Sequence, residues 1–151
     1  MASIKLGPGR VIDMDFRSTM PLQPEPTFEE QVQGYIDEWQ ARLRIDDWHI
    51  GLKVEREKDP GYYAQTAWSN MYRTAMMTIR HPDLQPNKDE SPAPQDLECT
   101  VVHELVHLRL FPFRQFTEGK MNDYAHEEIE CAVDLLAQAL VAAKRGVTRI
   151  V

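Results

Sequence analysis

Residues 98–110 read ECTVVHELVHLRL, and the fold turns on how this stretch is read. Its apolar residues recur at helical spacing. At about 100° per residue, Leu97, Val101, Leu105 and Leu108 form one apolar flank, and Cys99, Val102, Val106 and Leu110 form the other. Glu98 and Arg109 share a narrow polar stripe expected to meet solvent. Thr100, His103, Glu104 and His107 fill a second polar arc between the flanks. A helix lying on a protein surface needs one polar face. Two polar faces imply that one points inward, where two imidazoles and a carboxylate need partners.

His103-Glu104-Leu105-Val106-His107 is an HExxH sequence. Residues four apart on a helix stack on one face, so His103 and His107 can bind one Zn²⁺. Glu104, beside them, is placed to act as general base toward a water activated at the metal. A catalytic zinc takes three protein ligands, so a third must come from elsewhere. The last helical segment, YAHEEIECAVDLLAQAL (124–140), holds the candidates. Its main apolar stripe is read as Ile129, Val133, Leu136 and Leu140. Glu130 lies at the edge of that stripe, His126 one turn before it and also facing inward, and Glu127 on a stripe assigned to solvent. Burial therefore ranks Glu130 first, His126 second and Glu127 third. Asp134, one turn after Glu130, is placed to accept a hydrogen bond from the far nitrogen of a ligating histidine.

Working outward, Thr27 and Glu30 form a capping box that opens a helix running to about Arg44. DWHIGLKVE (47–55) alternates as a half-buried strand, YYAQTAW (62–68) is a second strand, and MYRTAMMTIR (71–80) a third. The three are expected to form a mostly antiparallel meander, with the third as the edge strand nearest the cleft. A Pro-rich loop (81–96) leads to the motif helix. Pro112 and Gly119 are expected to break the chain before the last helix. The fold class is thus α+β: a backing helix, a three-stranded sheet, the motif helix and a ligand-bearing C-terminal helix. Residues 1–26 read as an arm and linker, and 27–151 as a single domain.

The chain has 151 residues and a net charge of −7. That acidity makes nucleic acid or an anionic membrane surface a poor partner. No stretch has the length of a membrane span, and the N-terminus lacks the apolar run of a signal peptide, so a cytoplasmic location is expected. The two cysteines, Cys99 and Cys131, form no CxxC pair and read as free thiols.

With His103, Glu104, His107, Glu130 and Asp134 in the order HExxH…ExxxD, the chain resembles the gluzincin branch of the zincin metallopeptidases. Its size is similar to that of the minimal single-domain members, the minigluzincin-like and ImmA/IrrE-type proteins. The resemblance implies a small zincin-like domain and a zinc metalloendopeptidase acting on a peptide or protein substrate. It implies Glu104 as general base and His103, His107 and Glu130 as ligands, with Asp134 behind them. The resemblance covers about residues 28–145 and leaves out the arm. The Asn that commonly precedes the ligand Glu is replaced by Ile129, and no clear downstream oxyanion-binding His is present. Tyr124 or His126 would take that role. The alternative function is a catalytically silent or latent zinc-binding module, its arm or tail lying in the cleft.

Overall fold

The computed structural model describes residues 24–56, 63–84, 96–117 and 123–148; the side chains of 111–117 and 123–124 lie outside the description. The expected N-terminal arm therefore falls outside the described residues, apart from its last three.

Helix α1 spans Phe28–Leu43. Its N-terminus is closed by the expected capping box: Glu30 N–H donates to Thr27 Oγ1 at 3.2 Å, and Thr27 N–H donates to Glu30 Oε2 at 2.7 Å. It ends at Arg44, which takes up a left-handed conformation with φ of 54°. Val32, Ile36 and Trp39 are its buried face. Three strands follow: β1 (His49–Glu55), β2 (Ala64–Ser69) and β3 (Thr74–Arg80). After a short 3₁₀ turn at Pro82–Leu84 come α2 (Leu97–Thr117) and α3 (Asp123–Arg145).

The sheet is mixed, in the order β1-β3-β2, and not the expected meander. β3 pairs antiparallel with β2 and parallel with β1. The burial of β3 explains its central place. Ala75, Met77 and Ile79 fill its inner face, and even Thr78 and Arg80 on the other face are buried. The half-buried β1 and β2 take the edges. β3 is thus not the edge strand. Among the described residues β2 pairs on one side only, and β2 packs against α2.

α2 is the central helix, packed between α1 and α3. Val101, Val102, Leu105, Val106 and Leu108 are all buried, so both predicted flanks are filled. The helix continues through Pro112 to Thr117 rather than breaking there. One proline removes a single intrahelical bond, which a 21-residue helix tolerates. The residues on both sides of Pro112, where a break is expected, are therefore helical.

The predicted solvent stripe of α2 is corrected at Glu98, which is 4% exposed. Its carboxylate accepts from Trp39 Nε1 at 2.9 Å, Lys144 Nζ at 2.6 Å and Arg145 Nη2 at 2.8 Å. Arg145 also forms a two-pronged bridge to Asp96, and Lys144 reaches Glu38. Asp96 in turn accepts from Cys99 N–H and caps the start of α2. One buried carboxylate thus ties the end of α1, the beginning of α2 and the end of α3. No helix among the described residues is long and apolar enough to cross a membrane.

Candidate metal centre

The HExxH residues lie on α2 where it meets α3 and β2. Helical spacing stacks His103 and His107, with ring centroids 4.9 Å apart and an interplanar angle of 71°. Their Nε2 atoms lie 3.1 Å from each other. From α3, Glu130 Oε2 lies 3.1 Å from His107 Nε2 and 3.4 Å from His103 Nε2. His103, His107 and Glu130 form a group of metal-ligating type among the described residues.

This triangle can be tested against the metal. A tetrahedral zinc with bonds of about 2.0–2.1 Å sets its ligand atoms about 3.3 Å apart. The observed sides, 3.1, 3.1 and 3.4 Å, match that spacing. Two imidazoles and a carboxylate are also the right donor set. Lone pairs held this close repel one another unless a proton or cation lies between them.

Burial grades the cluster from inside to outside. His107 is 8% exposed and Glu104 7% exposed, while Glu130 is half-buried. Burial pushes the Glu104 carboxyl above its usual range, and the negative charge of Glu130 adds to this. The nearby Thr66 hydroxyl and His103 oppose the rise. A carboxyl so placed is a stronger base than an exposed one.

Asp134 Oδ1 stands 3.6 Å from His103 Nδ1, on the far side of the ring from the triangle. That separation is longer than a hydrogen bond, and Asp134 Oδ2 accepts from Gln138 Nε2 at 2.9 Å. His126, read as facing inward, has a side chain 51% exposed, with Nδ1 3.9 Å from Glu130 Oε1. It borders the site without entering the triangle. Glu127 is exposed and outside the cluster. Tyr124 belongs to α3, but its side chain is outside the description. Cys99, one turn before His103, is absent from the cluster, and burial pushes its thiol up to about 11.

The buried face of α3 is rotated from the predicted one. Val133, Ala137 and Val141 are fully buried, whereas Leu136 is 46% exposed and Leu135 66% exposed. The rotation moves Glu130 and Asp134 toward α2, because both share the Val133–Ala137–Val141 side of the helix. Sequence reading missed Thr66, on the inner face of β2 opposite Met77. The pairing register puts it on that face, and no local signal in the sequence says that Glu104 lies across from it.

Comparison of the chain with protein-family models, with curated proteins and with solved structures yields no match.

Proposed function

We propose that the protein is a zinc metalloendopeptidase of the gluzincin type, in a small zincin-like domain. The observation that carries this reading is the triangle of His103, His107 and Glu130, with Glu104 buried beside it. His103, His107 and Glu130 would hold the metal, whose Lewis acidity would polarise a scissile carbonyl and activate water.

The chain's own residues supply the rest. Glu104 takes a proton from the attacking water and delivers it to the leaving amine. Asp134, 3.6 Å from His103 Nδ1, would need to close to hydrogen-bond distance to draw the proton to Nδ1 and leave Nε2 free to ligate. His126, with Nδ1 3.9 Å from Glu130 Oε1, would steady the oxyanion, the role expected of it or of Tyr124. An extended peptide would add by main-chain hydrogen bonds to the edge of β2 that pairs with no strand among the described residues. This replaces the expected role of β3, which lies inside the sheet. A buried base next to the ligand triangle favours catalysis over a purely structural metal, since a structural site has no use for a base.

Elemental analysis of wild type, Glu104→Gln and Glu130→Ala tests the reading. About one zinc per chain is expected in the first two, with a large loss in the third. Cleavage of an unstructured protein should disappear in Glu104→Gln. A zinc-free wild type would overturn the proposal, and zinc without cleavage would favour a silent binding module.

A further inference from the structure

Among the described residues, Thr66 Oγ1 is the buried side-chain polar atom that closes no hydrogen bond of full geometry. An unpartnered buried hydroxyl is destabilising, and valine would fill the same space in a strand without that cost. What the hydroxyl faces accounts for it. Thr66 lies on the inner face of β2, β2 packs on α2, and the Glu104 carboxyl is its neighbour there. Glu104 is itself almost completely buried. A donor and an acceptor, both shut off from water, therefore face each other across the β2–α2 contact.

We propose that Thr66 is a positioning residue for the base: its Oγ1–H donates to one carboxylate oxygen of Glu104 and turns the other toward the His103–His107–Glu130 triangle. This inference rests on the metallopeptidase reading. Catalytic hydrogen bonds are often loose before substrate binds and close in the complex. β2 is also the strand whose outer edge would receive the peptide, so substrate seating and base orientation act on one element. Glu104 accepts through one oxygen and keeps the other for the proton it must take, so no proton is lost in the arrangement.

A double-mutant cycle tests the contact without requiring activity. Thr66→Val, Glu104→Met and the double variant are compared by thermal unfolding of the metal-free protein. Thr66→Val should lower Tm in the wild-type background and have an effect about 2–4 °C smaller in the Glu104→Met background. Thr66→Ser should restore the wild-type Tm. In the zinc-loaded protein, Thr66→Val should retain about one zinc per chain, lose about tenfold in kcat with KM unchanged, and be rescued by Thr66→Ser. A rise in Tm on Thr66→Val would mark an orphan hydroxyl and overturn the proposal. So would equal shifts in both backgrounds, or coupling without any change in kcat. A zinc-free, inactive wild type instead overturns the metallopeptidase reading and the catalytic half of this proposal, while the cycle still decides the contact.

Discussion

Glu98→Ala should be one of the most destabilising substitutions in the chain. The side chain is 4% exposed and accepts hydrogen bonds from Trp39, Lys144 and Arg145. Removing one partner of a buried ion pair costs about 3–5 kcal/mol, because the remaining charge is left uncompensated. Here both cations keep a second carboxylate, Glu38 for Lys144 and Asp96 for Arg145, and their side chains are 23% and 35% exposed. That places the cost at the low end, about 3 kcal/mol, most of it from the unpaired Trp39 indole and the lost tie between helices. For a chain of this size 1 kcal/mol moves Tm by about 2–4 °C, so a fall of about 6–12 °C is expected. Glu98→Gln, which keeps an acceptor for Trp39 but loses the charge, should fall between wild type and alanine. Thermal unfolding followed by circular dichroism measures both. A fall below about 2 °C in the alanine variant would refute the idea that this carboxylate holds the three helices together.

The same cluster predicts acid sensitivity. Hydrogen bonds from Arg145 hold the Asp96 carboxyl below its usual value, and although burial alone would raise Glu98, bonds from Lys144, Trp39 and Arg145 outweigh it and lower that one too. A carboxyl depressed in the folded state stabilises above its unfolded value, near pH ~4, and loses that contribution as the pH falls through the folded value. Tm should therefore drop below about pH 4 in wild type and drop less steeply in Glu98→Gln; parallel curves would contradict this. Zinc at about a hundred times its dissociation constant should stabilise wild type by about 2.7 kcal/mol and Glu130→Ala far less, with EDTA reversing the gain; equal stabilisation of both would exclude Glu130 as a ligand. Of the two thiols, exposed Cys131 should react quickly with a maleimide at neutral pH, whereas Cys99, half-buried and pushed up to about 11, should react only after unfolding. Two fast thiols in the native protein would show that Cys99 is not packed as described.

Much of the local structure was legible in the chain. The Thr27–Glu30 box places the start of α1, alternation places β1, the segments 62–68 and 71–80 contain β2 and β3, and helical spacing places α2 and α3. These features depend on neighbours a few residues apart, so the sequence displays them directly. The HExxH pair follows the same logic, since residues four apart on a helix must meet. The demand for a third ligand follows from zinc coordination, and the choice of Glu130 on α3 from its expected burial.

What the chain alone left open depended on partners distant in sequence. Alternation shows which side of a strand is apolar but not which strand it pairs with, so β3 was taken for an edge and lies in the centre. Glu98 looked like a solvent residue because the three groups that neutralise it come from α1 and α3. The inner face of α3 departs from the expected stripe for a related reason: Leu136 is more hydrophobic than Ala137, but close packing against α2 selects the small residue. Thr66 gained its meaning only from the helix across from it. The sequence by itself determined the helices, the strands and the pair of histidines, because short-range backbone geometry sets those. Only the tertiary structure brought Glu130 to 3.1 Å from His107 and Thr66 toward Glu104, because those placements follow from how whole elements pack.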